Sequence, residues 1–466
     1  MSFSEDAFLH ELARRGVEAL GRADPGLYEL IRGEYRRQME ALTLVAASSA
    51  ADPAVLACCG TVLDNVTTEG YPGARFHGGC AFVDEVERLA VERARAAFGA
   101  AYANVQPHSG SAANHIAIFG LLRPGDRILG LDLDSGGHLT HGSRASVVGQ
   151  YFRTAGYGLD GDGFLDYEAI GRRAREFRPR MIIGGSSAYP RAIDFRRLRA
   201  IADEVGAYLL ADVSHIAGLV AAGLHASPVD HAHVTTTSTY KQLYGPRGGL
   251  ILIGRDHDLR LADGRTLADT MQAATFPFYQ GTPSLAAVAA KARALAAAAT
   301  PEFAARMERV LAGAAAIAGS LAAAGYELLT GGTDNHMVVL DLERTGLTGV
   351  VAERALEECS IVVNRNKVPG DRRGPLVASG LRLGTNHVAA RGMGGLEAAE
   401  CAALVDRVLR STRPSGERSY ALDAAVRGDV RGRVRELCAR FPIPGYPALL
   451  DSGGAGECLA ARCEAW

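Results

Sequence analysis

Lysine is almost missing from this chain of 466 residues: only Lys241, Lys291 and Lys367 occur among its 50 Lys+Arg, so 47 are arginine. Any chemistry that needs a side-chain amine therefore has three candidates. A surplus of charge is missing too. The 50 basic residues face 52 acidic ones, for a formal net charge of −2, and that balance exerts no general pull on nucleic acid or an anionic membrane. No apolar run reaches the roughly 18 residues of a membrane span, and the opening MSFSEDAFLHELARRG has no basic segment followed by an apolar core. A cytoplasmic protein with neither membrane nor nucleic-acid partner is the simplest expectation. The eight cysteines form no CxxC and no zinc-type spacing, which favours buried free thiols and no metal.

What the chain does have is a core. Hydrophobic content of 48% with 22% charged is ordinary for a globular protein, and at about 100–200 residues per domain the length accommodates two or three domains. The first 40 residues read as a polar helical arm punctuated by Pro25 and Gly26. From about residue 80, helix-like stretches such as VDEVERLAVERARAAFG alternate with DRILGLDL, RMIIGG, AYLLADV, HVTTTST and GGLILIG. Short β-like runs separated by helix-sized segments predict an α/β domain built on a mainly parallel sheet. SLAAVAAKARALAAAAT and PEFAARMERVLAGAAAIAGSLAAAG predict two helices broken at Pro301. HMVVLDL, SIVVN and GLRLGT follow as strands of a smaller α+β domain. The expected division is an arm over 1–40, a large domain over 41–300 and a small C-terminal domain over 301–466, ending in a loosely ordered DSGGAGECLAARCEAW.

The chemistry concentrates at strand ends. AYLLADVSH delivers Asp212 at the carboxyl end of a buried run, where ligands sit in open α/β sheets. Lys241 follows 29 residues later in TTTSTYKQLYGPRGG. A buried amine is either ion-paired or a Schiff-base lysine, so the pair suits pyridoxal phosphate, with the acid on the pyridinium nitrogen; a plain buried salt bridge explains it equally well. NVQPHSGSAANH enters a helix through Ser109 and Ser111, as a phosphate site or an ordinary N-cap. DSGGHLTHG adds His138 and His141, and an imidazole here either stacks on a flat ring or is a satisfied histidine. SGLRLGT carries Arg382, whose fork fits a carboxylate or a surface ion pair. Lys291, in an Ala-rich helix, and Lys367, on a polar loop, read as solvated.

EGYPGARFHGG, YANVQPHSGSAAN, GGHLTHGS, MIIGGSSAY, ADVSHIAGLVAAG, YKQLYGPRGG and SGLRLGT, in this order from about residue 30 to 440, resemble the serine hydroxymethyltransferase family. The resemblance implies a fold-type I pyridoxal-phosphate enzyme with tetrahydrofolate as co-substrate, working as a homodimer or tetramer with shared active sites. It implies that Lys241 forms the Schiff base, Asp212 partners the pyridine nitrogen, His138 stacks and His215 lies near the phenolic oxygen. Ser109 and Gly110 would hold the phosphate, with Gly281 reaching across from the second subunit and Ser187 and Thr239 completing the cofactor shell. Arg382 becomes the carboxylate clamp, with Thr67, His77 and Tyr240 at the substrate. Glu69 becomes the acid–base residue at the folate and hydroxymethyl site, and Leu133, Leu139 and Asn366 line the pterin pocket.

The departures cluster near the substrate. The family's Ser-Glu-Asn reads Ala47-Ser48-Ser49, a tyrosine two residues before the glutamate is Thr67, Tyr-Tyr is Phe76-His77, the histidine before the lysine is Tyr240, and Gly-Gly is Gly281-Thr282. Loss of a ring at position 67 suggests an acceptor with an α-substituent, such as alanine giving α-methylserine, beside the glycine/serine reaction. The changes at Phe76, His77 and Tyr240 suggest instead a folate-independent threonine aldolase or transaldolase that joins a glycine carbanion to an aldehyde. A non-catalytic relative kept for binding is a third reading, and intact Lys241 and Asp212 argue against it.

Overall fold

The computed structural model describes residues 7–448. It opens with helices Phe8–Ala23 and Pro25–Glu40. The second is set up as the sequence suggests: Pro25 takes the first helical turn, where its missing N–H costs nothing, and the Leu27 N–H donates to Asp24 Oδ1 at 3.0 Å. No described helix is long and apolar enough to cross a membrane.

The large sheet has seven strands: β1 (Tyr102–Asn104), β2 (Arg127–Leu131), β3 (Arg153–Tyr157), β4 (Met181–Gly185), β5 (Tyr208–Asp212), β6 (Val234–Ser238) and β7 (Gly249–Ile253), in the order β1-β7-β6-β5-β4-β2-β3. Five of them, β6 to β3, run parallel. The GLILI strand, β7, departs from the parallel expectation and runs antiparallel to β6 and β1. Residues 239–248 are too few for the dozen or more that a parallel crossover needs, so the chain turns straight back. β1 and β3 are strands that the apolar-run reading did not mark; β1 is three residues long, and β3 is a half-exposed edge.

Buried strands alternate strictly between two cores. Leu129, Ile182, Leu209, Leu250 and Leu252 enter one, beneath helices Ala81–Phe98 and Leu285–Ala298. Ile128, Met181, Ile183, Leu210, Ile251 and Ile253 enter the other, against helix Gly110–Leu121. The sheet is thus covered on both faces, which leaves its carboxyl edge as the open place for a ligand.

The break at Pro301 is present: helix Leu285–Ala298 ends, Thr300 caps, and helix Pro301–Ala323 begins. Beyond it, β8 (Glu327–Leu328), β9 (Met337–Asp341), β10 (Asn364–Asn366) and β11 (Gly380–Gly384) form an antiparallel sheet in the order β8-β9-β11-β10. Leu42–Thr43 pairs in parallel with Ile361–Val362, and Leu42 and Leu44 sit in the small core with Ile317, Leu383 and Val405. The chain therefore touches the C-terminal region before it builds the large sheet.

Lys291 is not solvated. It is 2% exposed, in a helix whose neighbouring residues are almost all alanine and leucine. Lys367 is also engaged, its Nζ 2.7 Å from Asp134 Oδ2. Among the described cysteines, Cys80, Cys359, Cys401 and Cys438 are buried free thiols, whereas Cys58 is half-buried and Cys59 exposed. Cys458, Cys463 and the C-terminal segment expected to be loosely ordered lie outside the described residues.

Candidate active site

Five loops at the carboxyl edge of the large sheet enclose a cavity of about 250 Å³ lined by Ser109, Gly110, His138, Ser187, Asp212, Ser214, His215, Ser238, Tyr240 and Lys241. Asp212 ends β5, is 7% exposed, and takes three hydrogen bonds, two on Oδ2 and one on Oδ1, which keeps an acceptor direction on Oδ1. Oδ2 accepts from Asn114 Nδ2 at 2.7 Å, and Oδ1 from the Ser214 N–H at 3.0 Å. His141 Nδ1 accepts the His138 N–H at 3.3 Å, which leaves Nε2–H to donate to Asp212 Oδ2 at 3.2 Å. Burial alone raises a carboxyl's pKa, but the His141 hydrogen bond and the charges around it outweigh that and hold Asp212 far below the usual range. Close approach makes the contact possible: a Cβ on Gly130 would lie 2.4 Å from the His141 carbonyl oxygen.

Asn114 extends the network. It donates to Thr140 Oγ1 at 2.8 Å and accepts from Thr236 Oγ1. Thr140 in turn meets His138 Nδ1 through its hydroxyl at 2.8 Å and its N–H at 3.2 Å. Burial lowers the pKa of His138 to about 4, so the ring is neutral at physiological pH. The ligand atoms of His138, His141 and Asp212 lie within 4.8 Å of one another, and here they are spent on this hydrogen-bonding chain.

Lys241 is the third residue of the loop after β6 and is 7% exposed. Burial, with Arg382 and Arg247 adding to it and Asp212 opposing, lowers its pKa to about 8. Nζ lies 5.9 Å from the Tyr240 ring centroid, and Arg247 stacks on the same ring at 3.9 Å. His215 stacks on His336 with centroids 5.5 Å apart, and burial and the nearby Lys241 charge keep it neutral. From the small region, Arg382 on β11 reaches the cavity rim, Nη1 donating to the Ser187 carbonyl and Nε to Asn364 Oδ1 at 3.1 Å.

Pyridoxal phosphate fits these residues. Ser109 caps helix Gly110–Leu121 with its hydroxyl on the Ala112 N–H at 3.0 Å, and the first N–H groups of a helix lack intrahelical acceptors. Ser238 Oγ, buried in the cavity wall, has no partner. At Gly110 an added Cβ would press to 3.1 Å from Ser238 Cβ and 3.2 Å from Ser214 Oγ, so only glycine leaves this cradle open.

Of the residues expected at the site, the structure gathers Ser109, Gly110, His138, Ser187, Asp212, His215, Tyr240 and Lys241, with Arg382 at the rim. Thr239 is turned away, its hydroxyl donating to the Pro246 carbonyl at 2.7 Å. Thr67, Glu69, His77 and Gly281 lie apart from the cavity, on an outer face. Glu69 Oε2 is 3.3 Å from His77 Nε2, and Oε1 is 3.3 Å from where a Gly281 Cβ would stand. Leu133 and Leu139 are exposed on either side of His138. Asn366 joins their side of the molecule through its neighbour, since Lys367 pairs with Asp134. Asn114, Thr140, Thr236, Ser238 and His336 were not anticipated. Asn114 was findable: one turn into a helix capped by Ser109, it must face the same sheet edge.

A buried amine and a carboxylate held ionised by its hydrogen bonds, at the carboxyl ends of neighbouring strands with a helix N-terminus beside them, define a pyridoxal-phosphate-dependent enzyme of fold type I. Residues 20–405 match the family model described as serine hydroxymethyltransferase. The chain is 47% identical over 434 residues to the serine hydroxymethyltransferase of Rhodospirillum centenum, covering 93% of this chain and 98% of that protein. It is 46% identical over 426 residues to that of Rhodopseudomonas palustris, covering 91% and 96%. The chain belongs to the serine hydroxymethyltransferase family, whose members use pyridoxal phosphate and tetrahydrofolate.

Proposed function

We propose that this enzyme interconverts glycine and serine with methylenetetrahydrofolate and also accepts an α-substituted amino acid, alanine, giving α-methylserine. The observation that carries the chemistry is the Asp212–Lys241 pair across one cavity. Pyridoxal phosphate, bound there, supplies an electron sink for a bond broken at the α-carbon of an amino acid. Lys241 is its covalent anchor, since arginine cannot lose its proton to act as a nucleophile. Asp212, kept ionised by His141 and its bond from Ser214, holds a proton on the ring nitrogen, and the neutral His138 offers a flat face. Arg382 takes the substrate carboxylate in its fork. Glu69 moves a proton at the hydroxymethyl or folate end.

Glu69 and Gly281 serve a neighbouring copy's cavity, in a homodimer or tetramer. Their separation from Lys241 in one chain supports this, as do Phe76, Phe82 and Phe278, 74%, 86% and 65% exposed, since large exposed apolar groups mark interfaces. Thr67, on the Glu69 hairpin, frees the volume of a ring where the acceptor's α-substituent would lie.

The test is purified holoenzyme with methylenetetrahydrofolate and glycine, D-alanine or L-alanine in turn. Alanine turnover that Thr67→Tyr removes while sparing glycine is the expected result. Glycine turnover with no alanine turnover refutes the wider acceptor range. Acetaldehyde release from threonine without folate would favour the aldolase reading instead.

A further inference from the structure

Lys291 has no part in the chemistry above, yet it is among the most completely buried side chains of the molecule. Its Nζ donates to the carbonyl oxygens of Val105 at 2.6 Å, Pro107 at 3.0 Å and Gly249 at 3.1 Å, so all three N–H bonds are used on backbone. No carboxylate pairs with it among the described residues. Burial lowers its pKa to about 7, with the charge of Glu87 the one opposing influence. A buried ammonium is costly, and a methionine there would fill the same space.

The three carbonyls share a location. Val105 and Pro107 lie on the segment that leads from β1 to Ser109, and Gly249 begins β7. The Gly249 N–H donates to the Pro107 carbonyl at 2.9 Å. A Cβ on Gly249 would lie 2.2 Å from the Ser109 carbonyl oxygen, and one on Gly248 2.2 Å from Lys291 Cε. The ammonium thus ties together, from behind, the two backbone segments that meet under the Ser109–Gly110 turn.

We propose that Lys291 is a positioning residue for the phosphate end of the cofactor site, its ammonium holding three carbonyls so that the N–H groups of the Ser109–Gly110 turn point into the cavity. This rests on the reading of that turn as the phosphate cradle.

The experiment uses full-length enzyme stripped of cofactor and titrated with pyridoxal phosphate and, separately, with pyridoxal, which lacks the phosphate; bound cofactor is read by absorbance. Lys291→Met should weaken pyridoxal phosphate binding by about tenfold to a hundredfold, as expected for lost charged hydrogen bonds, and leave pyridoxal binding as in the parent chain. Lys291→Gln, which keeps two N–H donors, should fall between, and it decides the matter if circular dichroism shows the methionine variant unfolded. An unchanged preference for the phosphorylated form in the folded variant overturns the proposal. Ser109→Ala separates the two ideas. If it erodes the preference and Lys291→Met does not, the cradle stands and the role of Lys291 falls. If neither erodes it, the cradle reading falls as well. If only Lys291→Met erodes it, the contact is made by backbone N–H groups that Lys291 aims, which supports the proposal.

Discussion

Replacing Arg75 by methionine probes how the hairpin that carries Glu69 is held. The Arg75 side chain is 3% exposed, and it meets Glu87, 2% exposed, at 2.6 Å and Asp84, 12% exposed, at 2.8 Å. Its remaining nitrogen donates to the carbonyls of Thr68 and Gly70, each at 2.9 Å, the two residues that flank Glu69. Methionine leaves Glu87 buried without its cation and Asp84 with only the half-exposed Arg88 at 3.7 Å, and breaking such a buried pair costs about 3–5 kcal/mol. Burial already raises the pKa of Glu87, with Arg75 and Gln106 as its counterweights; without Arg75 it rises further. A carboxyl whose folded pKa lies above its unfolded value binds more protons when folded, so the variant's stability falls as pH rises through that window. Urea unfolding followed by circular dichroism should show the loss, larger at about pH 8 than at about pH 5. Adding Glu87→Gln should recover part of it at the higher pH. A loss below about 1 kcal/mol, or a Glu87→Gln change that adds to the loss, would refute the reasoning.

Two further predictions concern the cavity. With the Lys241 pKa near 8, the rate at which cofactor-free enzyme captures pyridoxal phosphate should climb about tenfold per pH unit below that value and level off above it, because only the neutral amine attacks. Stopped-flow absorbance reads this directly, and a climb that continues to the free-lysine range near about 10.4 would contradict the buried setting. Gly130→Ala places a methyl 2.4 Å from the His141 carbonyl oxygen, which should push the imidazole off Asp212 and lower kcat by about tenfold or more. Wild-type kcat in that variant would remove His141 from the account.

The parts of the site legible in the chain were those at the ends of fully buried strands. β5 reads as an apolar run that stops abruptly at Asp212, and β6 as a run of small hydroxyl residues that stops before Lys241, so their side-by-side arrangement follows once both are placed in a parallel sheet. For His141 and Asn114 the place was legible, after a strand end and one turn into the Ser109-capped helix, but their shared partner was not, because each reaches Asp212 from a segment tens of residues away. Lys291 was misread for a physical reason. A lysine usually marks the wet face of a helix, but AAVAAKARALAAA is apolar nearly all round, and such a helix is buried with everything on it. The direction of β7 was also written in the chain, in the shortness of residues 239–248, and was overlooked because an apolar run carries no sign of polarity. Glu69 and Gly281 do not line the cavity of their own chain, and nothing in a linear sequence marks such a separation.

The pairing of Leu42–Thr43 with Ile361–Val362, reinforced by the Gly384 N–H on the Leu44 carbonyl at 2.7 Å, sets an order of events during synthesis. The large sheet has all its strands once Ile253 has emerged, whereas Leu42 and Leu44 have no strand partner until Ser360–Val362 is out. Closing so long a loop costs little extra free energy, since the entropy grows only with the logarithm of length. The cost is waiting: at ordinary elongation rates the interval is on the order of ten seconds, during which two leucines destined for full burial are carried uncovered beside a finished neighbour.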